Sequence, residues 1–133
     1  MTADSETRYP DIEIYLAKAP MASLNEWLGM AIGAEPLTPV GKGKWRSSGL
    51  VGEHAIPVLL MERAADGFAS LWFDSAETPW PDDAACARAA ARHLGSEVRC
   101  SLGGWQPGDE PDRFLRVLPD GREEEIHWPD SGQ

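Results

Sequence analysis

The chain has few of the residues from which most metal and redox sites are built, with two cysteines and three histidines among 133 residues. Cys86 and Cys100 are too few for a disulfide scaffold and do not form a Cys-x-x-Cys pair. His54, His93 and His127 lie far apart in the sequence, and none has a second His or Cys at ligand spacing. The sequence therefore predicts neither a metal site nor a bound cofactor.

Positive charge and long apolar runs are also scarce. Twelve Lys and Arg stand against twenty-two Asp and Glu, which gives a formal net charge of -10. Because nucleic acids and anionic membranes are bound through Lys and Arg, this balance argues against both as partners. No run approaches the roughly 18 apolar residues of a membrane span, and residues 1–11 lack a signal-peptide pattern. We expect a cytoplasmic protein, and nine Arg against three Lys favours a GC-rich bacterial genome.

Motifs for catalysis and nucleotide binding are missing as well. The segment 41–48 has no Gly-Lys-Ser/Thr ending and no helix after it, so it does not predict a phosphate loop. On one helix, His93 would lie about 10 Å from Cys86, too far for direct proton transfer. We interpret both cysteines as buried thiols and His93 as a hydrogen-bonded core histidine. An enzyme assembled from scattered residues stays open, because such sites are recognised by geometry.

The composition is that of one folded domain. Its hydrophobic content of 42% and charged content of 26% are close to globular averages. A chain of this length can bury a substantial core. We place the domain at residues 11–129, with a flexible N-terminal tail at 1–10 and a polar C-terminal end at 130–133.

The first elements are a strand and a helix. Residues 11–16 alternate between apolar and polar side chains, which predicts a half-buried strand. Ser23 and Glu26 fit a capping box, and the apolar stripe after them predicts a helix that ends at Gly33. Pro20 could instead begin that helix one turn earlier.

Three strands are predicted in the middle of the chain. Residues 35–44 carry two Pro and two Gly and predict a loop, and 44–51 predict a weaker strand. A strand at 56–63 contains the continuous apolar run 58–61, which indicates that both of its faces are covered. After an Asp-Gly turn, residues 68–73 return as the second strand of a hairpin.

A second helix and three more strands complete the prediction. Asp82 or Asp83 caps the helix, which ends at Gly95. Its buried face is predicted to consist of Cys86, Ala89, Ala90, His93 and Leu94. The strands are predicted at 97–102, 113–118 and 122–128.

The order is therefore β-α-β-β-β-α-β-β-β. Two helices cannot supply the crossovers that a parallel sheet of this size needs, so the sheet must be mostly antiparallel. We predict an α+β two-layer sandwich, with six or seven strands and two helices on one face. Exposed edge strands of such a sheet could pair two copies into a homodimer.

The strongest candidates for a binding surface are tryptophans and acidic residues. Trp80 and Trp105 lie in Pro- and Gly-rich loops, where each could be an exposed hot spot or could cover the edge of the core. Carboxylates form one cluster at Asp109, Glu110 and Asp112. A stripe of Glu123, Glu125 and His127 would lie opposite Glu124, Ile126 and Trp128 on the last strand.

These features favour a non-catalytic, acidic protein-binding module whose partner is a basic protein. Inhibitor and immunity-type proteins that shield a basic toxin have this charge profile, which is an analogy of charge alone. The alternative is a small-molecule-binding domain with a pocket between the curved sheet and the helices. The residues available to line that pocket are Tyr15, Trp45, Trp72 and Phe73.

Overall fold

The computed structural model describes residues 10–18, 20–65, 67–102 and 113–128. Within them the chain forms one sheet and two helices. The helices are α1 (Met21–Ile32) and α2 (Asp83–Leu94). The strands are β1 (Ile12–Leu16), β2 (Thr38–Gly41), β3 (Lys44–Val51), β4 (His54–Ala65), β5 (Phe68–Phe73), β6 (Val98–Ser101), β7 (Arg113–Val117) and β8 (Glu123–His127).

The strands form an eight-stranded sheet in the order β2-β3-β4-β5-β1-β6-β7-β8, and every neighbouring pair is antiparallel. β1 therefore lies in the middle, between a meander of four strands and a meander of three. The helices pack on the sheet, so the predicted α+β two-layer sandwich is confirmed.

The described sheet has one strand more than the six or seven predicted, because β2 lies inside the segment predicted as a loop. Its proline pairs with a tryptophan of β3 in the register Pro39↔Trp45. Since β2 is an edge strand, the missing N–H of Pro39 does not interrupt a ladder on both sides. The proline and glycine content that indicated a loop is thus compatible with a short edge strand.

α1 begins earlier than the capping box indicated. Pro20 is its N-cap, without a side-chain hydrogen bond, so the alternative start is correct and the capping box at Ser23 and Glu26 is wrong. The C-cap of α1, Gly33, has a left-handed backbone conformation with φ of 61°, which is typical of a glycine that ends a helix. Trp27, on the apolar stripe of this helix, is buried.

The cap of α2 is confirmed, and so is most of its buried face: Cys86 and Ala90 are buried, and Ala89 and Leu94 pack against the core. Asp82 accepts a hydrogen bond from the backbone N–H of Ala85 at 2.9 Å. The buried residues are Cys86, Ala87, Ala90 and Ala91. His93 is exposed, with its Nε2 4.0 Å from Glu26, so the interpretation as a core histidine is wrong. Because alanines lie on several sides of α2, its sequence pattern determines the rotation of the helix only approximately.

The main core lies between the sheet and the helices. Both cysteines are free and fully buried there, as expected. Burial raises the pKa of the Cys100 thiol to about 12, so this thiol stays protonated and unreactive at neutral pH. No helix in the described ranges has the length and apolarity needed to cross a membrane.

Candidate functional site

The side of the sheet opposite the helices, here called the open face, carries an unusual set of side chains. The helices cover one side only, and the pleat sends alternate residues to the other. On the meander of four strands, β2 to β5, exposed or half-buried apolar residues lie on this face. They are Leu50 of β3, Pro57, Leu59 and Met61 of β4, and Trp72 of β5.

One row of this face crosses four strands. The register places Arg46 opposite Leu59, Leu59 opposite Trp72, and Trp72 opposite Glu13. Three strand spacings separate the ends of the row, which is roughly 14 Å. The row therefore has a cation at one end, a carboxylate at the other and apolar side chains between them.

Two depressions lie along this row. The larger, of about 270 Å³, is lined by Arg46, Ser47, Ser48, Pro57, Val58, Leu59, Trp72 and Asp74. The smaller, of about 200 Å³, is lined by Glu13, Leu59, Met61, Ser70 and Trp72. They share Leu59 and Trp72, so they form one continuous apolar surface with polar ends. Met61 at its rim is 36% exposed and Leu50 nearby is 59% exposed.

Hydrogen bonds fix the polar end of this surface. The indole N–H of Trp72 donates to Asp11 Oδ2 at 2.7 Å, and the hydroxyl of Ser70 donates to Glu13 Oε2 at 2.6 Å. Glu13 makes no ion pair with a Lys or Arg of the described ranges. Its charge is thus held in place without being neutralised.

The aromatic half of the open face is formed by residues of β1, β5 and β7 and by Trp128, which follows β8. Tyr15, Phe68, Phe114 and Trp128 pack edge to face, with ring centroids 4.9 to 5.9 Å apart. The guanidinium of Arg99 lies over two of these rings, 4.4 Å from the centroid of Phe68 and 4.6 Å from that of Trp128. These rings form a second, smaller core on the face away from the helices.

Charges in this half are paired. Arg99 donates to Glu97 at 2.8 Å, Arg116 donates to the same carboxylate at 3.0 Å, and Arg116 also donates to Glu124. Burial, followed by the negative charge of Glu13, raises the pKa of Tyr15 to about 12, so its phenol is neutral. The charged side chains around the aromatic rings are therefore paired with one another, in contrast to Glu13 in the half that holds Trp72.

The start of α2 adds negative charge at the same end of β1. Asp83 accepts a hydrogen bond from the backbone N–H of Glu13 at 3.1 Å. Burial, together with the nearby charges of Asp11, Glu13 and Asp82, raises the pKa of Asp83 to about 7. Burial is the larger cause of this shift, and the neighbouring carboxylates add to it.

The expected tryptophan hot spots fall elsewhere. Trp80 is 9% exposed and belongs to the core, with its ring 5.4 Å from that of Trp27 and 5.2 Å from that of Phe73. An exposed role for Trp80 is thus wrong, and the alternative that it covers the core edge is correct. Trp105 and the acidic cluster Asp109, Glu110 and Asp112 lie outside the described residues.

The acidic stripe of β8 is exposed, but its carboxylates have partners. Glu123 accepts from Arg88 of α2 at 2.6 and 3.1 Å, and Glu125 accepts from Arg113. His127, on the same side of the strand, is exposed too. The stripe lies on the side of the sheet that carries the helices, away from the open face. Because Glu123 and Glu125 are paired with arginines, the stripe has little net charge with which to attract a partner.

The four residues expected to line a pocket are not brought together. Tyr15 and Trp72 lie on the open face, whereas Trp45 and Phe73 belong to the core on the helix side. The space between sheet and helices is filled around Phe73, which is completely buried. Of the four, only Trp72 lines a described depression.

Sequence reasoning missed Leu59, Met61 and Glu13 as surface candidates. The run 58–61 indicated a strand covered on both faces, yet Met61 is exposed and Leu59 half-buried on the open face, so that interpretation is wrong. A signal was available in residues 11–16, whose alternation places Glu13 opposite the apolar stripe.

Metal chemistry and known relatives do not identify the site. In the described ranges, no group of three or more His, Cys, Asp or Glu side chains is placed to hold a metal ion. Comparison of the chain with protein-family models, curated proteins and solved structures found no match in any of the three.

Proposed function

We propose that this chain is a non-catalytic protein-binding module that uses the open face to bind a basic protein. The observation that carries the proposal is the surface around Trp72. It combines exposed apolar side chains with the carboxylate of Glu13, which Ser70 holds in place and which pairs with no Lys or Arg of the described residues. Contiguous exposed apolar surface with a polar rim is typical of protein interaction sites.

Charge supports a basic partner. The chain has a formal net charge of -10, and Asp11 and Glu13 lie at the edge of this surface. Complementary charge speeds association and excludes wrong partners. The cysteine content agrees with a cytoplasmic setting, and an inhibitor of a basic protein remains the closest functional analogy.

The shape of the surface favours a protein over a small molecule. Ligand pockets are concave and bury most of the ligand, with volumes of roughly 300 Å³ or more. The two depressions measure about 270 and 200 Å³ and lie on a sheet surface, open to solvent. A protein can cover both depressions at once, whereas a small molecule would remain largely exposed.

Two matched substitutions test this proposal. Met61 at the rim is 36% exposed, and Met30 on the outer side of α1 is 69% exposed. A basic partner should be repelled by Met61→Lys and tolerate Met30→Lys, because only the former adds charge and bulk to the open face. The tagged full chain and both variants are used for capture at low salt from cells that produce the protein, with quantitative mass spectrometry.

The expected result is one basic protein, recovered stoichiometrically with wild type and Met30→Lys, lost with Met61→Lys and weakened by salt. Equal recovery with both variants would remove the open face from the interface. An acidic partner, or one unaffected by salt, would contradict the electrostatic part of the proposal.

A further inference from the structure

We infer that the smaller depression is a subsite for one lysine or arginine side chain of the protein partner, with Glu13 as its counter-ion. This inference rests on the proposed function and goes further, because it names the chemical group that the surface selects. The lining consists of Glu13, Leu59, Met61, Ser70 and Trp72.

The size and walls of the depression match a long cationic side chain. Its volume of about 200 Å³ is too small for most ligands but suits a single side chain. Leu59 and Met61 provide apolar contact for a methylene stem, which Lys and Arg bury while their heads stay polar. Trp72 supplies an indole ring, the best aromatic partner for a cation.

The groups that would receive the charge are already positioned. Ser70 holds one carboxylate oxygen of Glu13, and Asp11 holds the indole of Trp72. A partner would therefore lose little binding free energy to ordering these side chains. The cations on this part of the face, Lys44 and Arg46, lie on β3, beyond Leu59 and Met61. They direct the incoming head group toward Glu13, at the other end of the row.

The same sheet face contains a filled version of this arrangement. Arg99 lies over the rings of Phe68 and Trp128, and Glu97 accepts its hydrogen bond. Around Trp72 the aromatic ring and the carboxylate are repeated, and no Lys or Arg of the described residues forms an ion pair with Glu13. A Lys or Arg of the partner would pair with Glu13 and lie against the ring of Trp72, as Arg99 pairs with Glu97 and lies over the rings of Phe68 and Trp128.

Blocked tripeptides provide a direct test on the ¹⁵N-labelled full chain. The probes are acetyl-Gly-Arg-Gly-amide, acetyl-Gly-Lys-Gly-amide and the same peptide with citrulline, the uncharged isostere of arginine, all at constant ionic strength. We expect both cationic peptides to shift the indole N–H signal of Trp72 and the backbone signals of Glu13 and Ser70, and citrulline to leave them in place.

Two variants locate the charge. Glu13→Gln keeps an acceptor for the hydroxyl of Ser70, and it should weaken binding of the arginine peptide about fivefold. Glu53→Gln, in the exposed turn between β3 and β4, removes the same charge elsewhere and should leave binding unchanged. If Glu13→Gln does not fold, Met61→Glu at the rim replaces it and should tighten binding severalfold.

The inference is overturned if citrulline causes the same shifts as arginine, or if no peptide shifts Trp72. It is also overturned if Glu13→Gln binds like the wild type, or if Met61→Glu gives no tightening. These failures are separate from failure of the proposed function. A partner lost with Met61→Lys but retained with Glu13→Gln would leave the open face as the interface and reject only the subsite.

Discussion

Trp72 donates its indole N–H to a carboxylate oxygen of Asp11 across 2.7 Å, although 61 residues separate the two in the chain. The bond joins the segment before β1 to β5 at the edge of the candidate surface. It restricts a ring that would otherwise rotate on an open sheet face, and so it prepares that ring for contact.

Removing this bond should loosen the ring at a small cost in stability. Asp11→Ala should lower the free energy of unfolding by about 1 kcal/mol, the usual net value of such a bond. Denaturant titration measures the loss, and heteronuclear relaxation of the indole N–H measures the mobility. Asp74→Ala serves as the control, since Asp74 lines the larger depression but accepts no bond from Trp72. Equal losses in the two variants would contradict the role assigned to Asp11.

The raised pKa of Asp83 predicts a dependence of stability on pH. Its ordinary value is 3.8 and its value in the fold is about 7, so the folded chain binds the extra proton in this window. The contribution of this group to stability therefore falls as the pH rises from about 4 to 7. Asp83→Asn should remove the penalty and stabilise the chain by on the order of 2 kcal/mol at pH 8.

Urea titrations across pH test this expectation. The advantage of Asp83→Asn over wild type should be small near pH 4, grow to pH 7 and stay constant above. Asp120→Asn is a contrasting control, because hydrogen bonds from Arg122 lower the pKa of Asp120. Its stabilising charge is present above its ordinary pKa, so that variant should lose stability at neutral pH. If the difference in the free energy of unfolding between Asp83→Asn and wild type does not change with pH, the pKa of Asp83 is not raised in the fold.

Packing of α1 on β3 requires a glycine at position 49. A Cβ atom there would lie 2.6 Å from both the side chain and the carbonyl oxygen of Ile32. Gly49→Ala should therefore cost more than about 2 kcal/mol, as overpacking does in a tight core. Gly29→Ala, inside α1, would meet only one atom at 3.8 Å and should gain about 0.5 kcal/mol from helix propensity. Thermal denaturation of both variants distinguishes them by the sign of the change.

The burial of Trp80 predicts a large effect on stability. Trp80→Ala removes a ring packed between those of Trp27 and Phe73 and should cost at least about 3 kcal/mol. Leu50→Ala, on the open face with 59% exposure, should change stability by less than about 0.5 kcal/mol. If denaturant titration shows almost no change in the free energy of unfolding for Trp80→Ala, the assignment of Trp80 to the core is wrong.

The fold could be predicted from the sequence where a pattern had one solution. Alternation in residues 11–16 determines which side chains of β1 face the core. Asp82 begins α2 through its side-chain hydrogen bond, and Gly95 ends it because glycine readily adopts a left-handed backbone conformation. The rotation of α2 could be predicted only approximately, because alanine is small enough to be buried or exposed. Likewise, Pro39 signals a loop unless the strand is known to lie at an edge, which depends on the tertiary structure.

The candidate surface was harder to predict than the fold. Trp72 and Trp80 are both large and amphipathic, and nothing local in the sequence shows which of them lies in the core. Trp80 is buried because its loop returns to Trp27 on α1, a contact between distant segments. Glu13 belongs to the candidate surface because strand pairing places it opposite Trp72. That register cannot be derived from the sequence before the order of the strands is known.

The position of β1 between β5 and β6 has a consequence for how the chain is made. Among the described strands β1 comes first in the chain, whereas its neighbours β5 and β6 follow much later and the second of them ends at Ser101. Until β6 has left the ribosome, β1 has no partner along one edge, and the backbone amides and carbonyls of that edge are unpaired. Such an edge invites pairing with other chains until β6 is in place.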